Sequence, residues 1–462
     1  METLLRFDHG TVVVPALSDE ARAKVGHLLV EDPRIKGYRA PAHRYRDLVL
    51  HLKQAGLPFK DEARRFEPVA LGLADPIEPY PHQAEALQKW WDAGRRGVVE
   101  LPTGAGKTFL AVLAIQKVGR PTLVVAPTLE LLVQWQGILQ QRLGVKVGMI
   151  GGGTRELEDI TVITYDSAQQ QMEYLGDRFG FLVCDECHHL PAPAYRFIAE
   201  GCLAPFRLGL SATLARPDGS ERTIFELLGP LVHHVSITEL AGEYLADYEV
   251  VSVPITLEED EQAEYDASRA EYLTFYRSTG ISLSDPSGWA KFIIRAHQSD
   301  EGRSAYRAFR RQKGIALRSR GKLAALWDVL VRHRADRVLV FTEDNETVYT
   351  LSERFLLPVI THQTRPPERR ALLEAFAQGD LRVLLTSKVL NEGVDVPDAN
   401  VGVVLSGNSS TREHVQRLGR ILRKRPGKTA VLYEIFSDVA AEAGISERRR
   451  QHAAYQRGGE GC

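Results

Sequence analysis

Short runs of β-branched and other apolar residues alternate with longer stretches of helical period between residue 97 and about residue 433. These runs predict buried strands at residues 98–100, 122–126, 161–164, 181–184, 337–341, 382–386, 401–405 and 430–433. Continuous apolar strands with helices between them indicate parallel sheets that are covered on both faces. Because the runs form two separate blocks, the pattern predicts an α/β fold with two parallel-sheet domains in tandem.

The segment between the two blocks, at about residues 258–320, has a different pattern. It is charged, has a helical period, and mixes arginines with aromatic residues. The residues concerned are Arg269, Arg277, Arg295, Arg303, Arg307, Arg310 and Arg311, with Tyr272, Phe275, Tyr276, Trp289, Phe292 and Tyr306. One interpretation is a solvated helical hairpin with an ordinary packed stripe. The other is an insertion that grips nucleic acid, because cations suit phosphates and aromatic rings suit bases.

The first 75 residues form a third unit, which ends at a proline-rich segment. A basic cluster within it is either a charged surface face or a DNA contact; its members are Lys36, Arg39, His43, Arg44 and Arg46, beside Tyr38 and Tyr45. The whole pattern predicts four segments. They are an N-terminal unit at 1–75, a first α/β domain at 76–245, a second at 246–445 that contains the helical insertion, and a tail at 446–462.

Composition places few limits on this organisation. A length of 462 residues suits about three domains, and 44% hydrophobic with 26% charged residues is ordinary for a soluble protein. The net charge is −2, so any nucleic-acid-binding surface must be local. The chain shows no signal-peptide pattern, no apolar run of membrane-spanning length and only four cysteines. We therefore expect a reduced, cytoplasmic protein without a membrane partner.

A phosphate-binding loop lies between the strand at 98–100 and an apolar helix. Its residues are Thr103, Gly104, Ala105, Gly106, Lys107 and Thr108. The glycines let backbone N–H groups face phosphates, Lys107 reaches the β- and γ-phosphates of ATP, and Thr108 ligates Mg²⁺. Upstream, the amide of Gln83 could pair with the edge of adenine, or serve only as a helix cap or turn.

An acidic pair follows the strand at 181–184, where a parallel sheet binds its ligands. Asp185 is expected to bind Mg²⁺, and Glu186 to orient and deprotonate the attacking water. His188 could relay the state of the nucleotide. The small residues at 211–213, a Ser-Ala-Thr sequence, are expected to link the ATP site to a nucleic-acid site.

A second basic motif lies far downstream, where Arg417, Arg420 and Arg423 recur every three residues on one helical side. We predict Arg420 and Arg423 to be arginine fingers that neutralise charge on the transferring γ-phosphoryl group. Gln416 is expected to contact the nucleotide across the cleft, and Asp395 to contact ribose or the arginines opposite. A phosphate loop with such a distant partner predicts a two-domain motor.

Together these motifs resemble superfamily 2 helicases and, within them, the XPB-like DNA helicases. The ordered set comprises the phosphate loop and residues 126–128, 164–167, 185–188, 211–213, 340–342, 361–362, 393–397 and 416–423. The resemblance implies two RecA-like domains, a helical thumb-like insertion, and a small N-terminal α+β domain like the family's damage-recognition domain. The family's Arg-Glu-Asp element corresponds here to Arg216-Pro217-Asp218. The proline puts its duplex-separating role in question.

The resemblance implies an ATP- and Mg²⁺-dependent 3′-to-5′ DNA helicase or translocase of repair or transcription. We expect a monomer that acts at junctions of single-stranded and duplex DNA, with a partner nuclease or with repair or transcription proteins. The alternatives are an RNA-remodelling ATPase of the same superfamily and a duplex translocase that does not unwind. A small-molecule P-loop kinase would explain the phosphate loop but not the second α/β block and its arginines.

Overall fold

The fold is described from a computed structural model of the chain. The residues that the structure describes are 2–76, 78–214, 219–244, 246–282, 285, 287–387, 399–405 and 429–439. They divide into two compact units, the first reaching Glu239 and the second starting at Leu240. No helix in these described ranges combines the length and the apolar character that crossing a bilayer requires.

The N-terminal part of the first unit is a small α+β structure around one five-stranded sheet. The strands are β1 (Thr3–Asp8), β2 (Thr11–Val14), β3 (Val30–Asp32), β4 (Gly37–Pro41) and β5 (Phe59–Glu62), and the helices are α1 (Asp19–Val25) and α2 (Tyr45–Gln54). The strand order is β3-β4-β2-β1-β5, and only the β1–β5 pair is parallel. Leu5, Val12, Leu48 and Leu52 are fully buried between the sheet and the helices.

The basic cluster of this part is largely used within the protein. Arg39 pairs with Asp8 at 2.8 Å and with Asp32 at 3.2 Å. Arg46 donates to the carbonyl of Pro205 at 3.3 Å, and the buried Tyr45 donates through its hydroxyl to a carboxylate on β5. These contacts favour a packed and charged protein surface over a free DNA-binding patch.

The rest of the first unit is a parallel sheet with helices around it. The strands are β6 (Arg96–Glu100), β7 (Thr122–Ala126), β8 (Val147–Gly151), β9 (Thr154–Arg155), β10 (Ile160–Thr164), β11 (Phe181–Cys184), β12 (Phe206–Ser211) and β13 (Leu231–His234). The helices are α3 (Pro81–Asp92), α4 (Lys107–Val118), α5 (Leu129–Leu143), α6 (Tyr165–Leu175), α7 (Arg196–Glu200), α8 (Glu221–Leu228) and α9 (Ile237–Leu240). The order is β13-β6-β12-β11-β7-β10-β8-β9, and only the β8–β9 pair is antiparallel. This confirms the first predicted block.

The second unit contains a six-stranded sheet in which every pair is parallel. The strands are β14 (Asp247–Ile255), β15 (Val338–Thr342), β16 (Val359–Ile360), β17 (Val383–Thr386), β18 (Val401–Leu405) and β19 (Thr429–Ser437), in the order β14-β19-β18-β15-β17-β16. Helices α13 (Arg320–Arg332), α14 (Asn345–Phe355) and α15 (Pro366–Gln378) accompany them. The apolar-run criterion missed β14, because this edge strand alternates exposed and half-buried residues.

The segment after β14 is the helical insertion, formed by α10 (Glu259–Thr279), α11 (Gly288–Ala296) and α12 (Asp300–Arg318). Its aromatic residues pack mainly on each other. The rings of Tyr272 and Phe292 lie 5.6 Å apart and perpendicular, those of Trp289 and Phe309 lie 4.7 Å apart, and Phe292 is 0% exposed. The aromatic residues therefore form the core of the insertion, as the packed interpretation expects.

Three ion pairs fix α12 against the start of α14. Arg310 and Arg318 each lie 2.8 Å from a different carboxylate oxygen of Glu346, and Lys313 lies 2.8 Å from Glu343. Arg318 folds back over Gly314, where an added Cβ would lie 2.6 Å from its Nη2 atom. The missing side chain at Gly314 therefore makes room for this contact.

Candidate nucleotide site

Three segments that are far apart in sequence meet at one edge of the first parallel sheet. The phosphate loop follows β6, the Ser-Ala-Thr sequence follows from β12, and the acidic pair follows β11, with β12 between the other two strands. The register pairs Ser211 with Glu100, and Cys184 with Gly209. Because parallel strands all end at the same edge, these segments lie side by side where such sheets bind ligands.

Two glycines give the phosphate loop its shape. Gly104 has φ +87° and Gly106 has φ +83°, both in the left-handed region that favours glycine. At Gly106 a Cβ would also clash with Nε2 of Gln83. Helix α4 begins directly afterwards at Lys107, so the positive end of its dipole adjoins the loop.

Gln83 braces this loop from helix α3. Its side chain is 2% exposed, its Oε1 accepts the backbone N–H of Tyr80 at 3.0 Å, and its Nε2 donates to the carbonyl of Ala105 at 3.0 Å. His82 Nε2 also lies 3.0 Å from that carbonyl. Both ends of the Gln83 amide are therefore engaged within the protein, and recognition of adenine by Gln83 stays a prediction.

Lys107 lies over the loop that it follows. Its ammonium donates to the carbonyls of Leu101 at 3.0 Å and Pro102 at 3.4 Å, and its charge lowers the pKa of Asp185. Neutral carbonyls bind an ammonium group less strongly than a phosphate does. The loop therefore suits a polyphosphate, and the charge of Lys107 also acts on the acid.

Asp185 is held rigidly at the end of β11. The indole N–H of Trp135 donates to Oδ2 at 2.8 Å, the backbone N–H of Glu186 donates to Oδ1 at 3.0 Å, and the carboxyl is 7% exposed. Burial, and then the charge of Glu186, raise the pKa of Asp185, whereas the Trp135 bond and Lys107 lower it. A buried carboxylate with a second acid beside it is a donor set that suits a divalent cation.

Sequence reasoning did not find Trp135. The residue lies at a core position of α5 and is 1% exposed, so its spacing is that of an ordinary apolar stripe. Only the tertiary packing of α5, which contacts β7, β8 and β10, brings its indole to the acid. The polar N–H of a buried tryptophan, which needs a partner, was the one available signal.

Glu186 and His188 connect the acidic pair to the Ser-Ala-Thr sequence. Glu186 adopts φ +46°, an uncommon conformation for a residue with a side chain. His188 Nδ1 lies 3.3 Å from Glu186 Oε2 and 3.0 Å from Ser211 Oγ. The Ser211 hydroxyl donates to the carbonyl of Thr213 at 2.8 Å. A continuous set of contacts thus joins the acid to the linker, and the relay role of His188 stays a prediction.

The remaining predicted residues lie outside the described part of the chain. They are Asp395, Gln416, Arg417, Arg420 and Arg423, together with the element Arg216-Pro217-Asp218.

Three family matches follow the chain in order. Residues 5–63 match the xeroderma pigmentosum group B helicase damage recognition domain, residues 76–216 match the res subunit of type III restriction enzymes, and residues 321–425 match the helicase conserved C-terminal domain. A solved structure, the helicase domain of Hef from Pyrococcus furiosus, aligns with a TM-score of 0.53 at 18% identity over 80% of this chain and 98% of that one. That likeness supports the fold, with two RecA-like domains.

Curated relatives are similar over nearly the whole chain. The chain is 38% identical to the DNA 3′-5′ translocase XPB2 of Sulfurisphaera tokodaii over 90% of this chain and 94% of that protein. It is 28% identical to the DNA 3′-5′ helicase XPB of Mycobacterium tuberculosis over 98% of this chain and 78% of that protein. The chain belongs to the XPB family of superfamily 2 DNA helicases.

Proposed function

We propose that the protein is an ATP-driven 3′-to-5′ DNA helicase or translocase that couples hydrolysis to unwinding or remodelling of DNA in repair or transcription. The observation that carries the proposal is the convergence of Lys107, Asp185 and the Ser211–Thr213 linker at one sheet edge. This arrangement links a phosphate site to a segment outside it. The relatives named DNA 3′-5′ translocase and helicase support DNA as the nucleic acid along which the protein moves.

The residues divide the work at the nucleotide in a simple way. Bound Mg²⁺–ATP supplies the reactive γ-phosphoryl group. The backbone of Thr103, Gly104, Ala105 and Gly106 cradles its phosphates and Lys107 offsets their charge. Oxygens of Thr108 and Asp185 would hold the metal, and Glu186 would orient a water and accept its proton.

Four further residues belong to the proposal by their place in the sequence motifs. Arg420 and Arg423 would neutralise charge on the γ-phosphoryl group, and Gln416 and Asp395 would contact the nucleotide. We propose domain boundaries at 1–75, 76–245 and 246–445, with a tail at 446–462.

We further propose that the protein acts as a monomer on junctions of single-stranded and duplex DNA, together with a nuclease or with repair or transcription proteins. One relative supports work in an assembly. It is named as a helicase/translocase subunit of general transcription and DNA repair factor IIH in Saccharomyces cerevisiae, and is 25% identical.

Translocation without unwinding is the second candidate activity. Pro217 replaces the acid of the family's Arg-Glu-Asp element, and one relative is named a translocase. Strand separation from a forked duplex and displacement of a triplex-forming strand, measured on one preparation, distinguish the two activities. Triplex displacement alone identifies a translocase that does not unwind.

ATP hydrolysis with single-stranded DNA, duplex DNA and RNA in parallel, at stated salt, tests the proposal. We expect stimulation by DNA, and its loss in Lys107→Ala and Glu186→Gln. Lys146→Ala removes an exposed surface cation paired with Glu158 and is the control that keeps wild-type turnover. Stimulation by RNA alone supports the RNA-remodelling alternative, and stimulation by none of the three refutes a nucleic-acid motor.

The role of Arg420 has its own test. Arg420→Ala should lower turnover more than it weakens ATP binding, because a finger stabilises charge that develops during phosphoryl transfer. Turnover equal to that of the wild type would remove Arg420 from this role.

A further inference from the structure

Glu100 occupies an unusual position as the last residue of β6. Its Oε1 accepts the backbone N–H of Leu214 at 2.9 Å, and its Oε2 lies 2.9 Å from Nδ1 of His234. The carboxyl group is 15% exposed. One side chain therefore contacts two segments that lie 114 and 134 residues further along the chain.

The neighbouring strands explain this reach. Strand β6 lies between β12 and β13, and the Glu100 carboxylate spans both at the point where they leave the sheet. Its backbone does the same, because the Glu100 carbonyl accepts the N–H of Val235 at 3.1 Å and the next residue, Leu101, donates to Ser211 O at 3.0 Å. Bonds from N–H donors to a carboxylate are stronger than those between neutral groups, so the Glu100 carboxylate strengthens the junction of the three strand ends.

Glu100 and Leu214 both lie at places that matter to a motor. Leu214 directly follows the Ser211–Thr213 linker. Glu100 is separated by two residues from the phosphate loop, and the carbonyl of the intervening Leu101 accepts from Lys107 at 3.0 Å. A movement of the loop on nucleotide binding would therefore be passed to Leu214 through one residue. This route does not share a side chain with the Glu186–His188–Ser211 route.

We propose that Glu100 is a positioning residue that transmits the conformation of the phosphate loop to the linker and to the end of β13. It acts through Leu214 and His234 and does not touch the reacting atoms. The inference rests on the proposed function, because a second connection to the linker matters only in a motor. A Glu100 with only a structural role would stabilise the ends of the strands but would not respond to nucleotide.

Hydrogen exchange in the full-length protein, with and without a non-hydrolysable ATP analogue, tests this directly. In the wild type we expect the analogue to change exchange in peptides covering 211–214 and 233–235. Glu100→Ala should abolish that change, while Glu100→Gln should keep most of it at 211–214, because an amide oxygen still accepts the Leu214 N–H. Glu158→Gln, an acid paired with Lys146 at the far edge of the sheet, is the matched control.

Turnover provides the second readout. Glu100→Ala should lower the ratio of DNA-stimulated to DNA-free turnover by about three- to tenfold, as expected if about half of the free energy of one charge-assisted hydrogen bond appears in the coupling. The KM for ATP should change by less than about twofold, because uniform nucleotide binding is not removed. His234→Gln should lower the ratio less, since it leaves the Leu214 bond intact.

Two results would overturn the inference. One is a nucleotide response at 211–214 in Glu100→Ala equal to that of the wild type. The other is an equal loss of DNA-free and DNA-stimulated turnover with a raised KM, which would confine Glu100 to the nucleotide loop. If Glu100→Ala does not fold, Glu100→Gln takes its place in the test. Loss of the nucleotide response at 211–214 in Glu100→Gln, at an unchanged melting temperature, would overturn the role proposed for the bond to Leu214. A wild type that DNA does not stimulate refutes the proposed function separately, because the exchange readout needs no DNA.

Discussion

Trp135→Phe is the sharpest test of how the buried acid is held. The substitution removes the indole N–H that donates to Asp185 Oδ2 at 2.8 Å and keeps an aromatic ring in the core. Oδ1 retains its bond from the backbone of Glu186. The carboxylate thus keeps one of its two described donors and gains freedom to rotate.

The size of the effect follows from the chemistry of the lost bond. A hydrogen bond to a charged group contributes about 1.5–3 kcal/mol, and this one lies where water cannot replace the donor. If about 1.4 kcal/mol of that appears at the metal site, the Mg²⁺-dependent part of ATP affinity falls roughly tenfold. The remainder should lower the free energy of unfolding of the domain.

The assay compares ATP-analogue binding in Mg²⁺ and in a chelator, with melting curves on the same samples. Trp90→Phe is the matched control, because Trp90 is in the same domain, is also 1% exposed, and donates at 2.8 Å to the neutral carbonyl of Arg207. Both variants should melt earlier. Only Trp135→Phe should lose Mg²⁺-dependent affinity, and equal affinity losses in the two variants would refute the role of the indole.

Three further substitutions test other parts of the fold. Gly106→Ala should weaken ATP binding by at least about tenfold, because a Cβ there combines a left-handed φ with a clash against the Gln83 amide. A calorimetric affinity equal to that of the wild type would contradict this. Burial, followed by the charge of Arg207, lowers the pKa of His43 to about 4. Below about pH 6.5 the unfolded chain therefore binds a proton at His43 that the folded protein does not bind until about pH 4. The free energy of unfolding should fall by roughly 2–3 kcal/mol between pH 6.5 and 4. In His43→Gln the melting temperature should depend less on pH over that window, and an identical dependence would exclude His43. Gly314→Ala should displace Arg318 from Glu346 and lower the free energy of unfolding by less than about 1 kcal/mol, because the ion pair is partly exposed. A large drop in melting temperature would show that the ion pair stabilises the fold more than its exposure predicts.

Much of the fold was accessible from local patterns. Strands such as β7 and β10 are buried along their whole length, so they read as uninterrupted apolar runs. The edge strand β14 does not, because exposed and half-buried residues alternate along most of its length. The aromatic residues of the insertion could not be interpreted from the sequence, because the same residue types suit both a nucleic-acid-binding surface and a packed core.

The candidate site shows the same difference between what local sequence and what tertiary packing determine. Sequence alone determined the phosphate loop, the acidic pair and the order of the helicase motifs, because each motif is a short contiguous segment whose spacing sets its local geometry. Tertiary structure alone decided that Trp135 holds Asp185, that Gln83 braces Ala105, and that Glu100 joins Leu214 to His234. These contacts depend on which parallel strands and helices are neighbours. Strand order is a property of long-range packing, so it cannot be deduced from the spacing of residues along the chain.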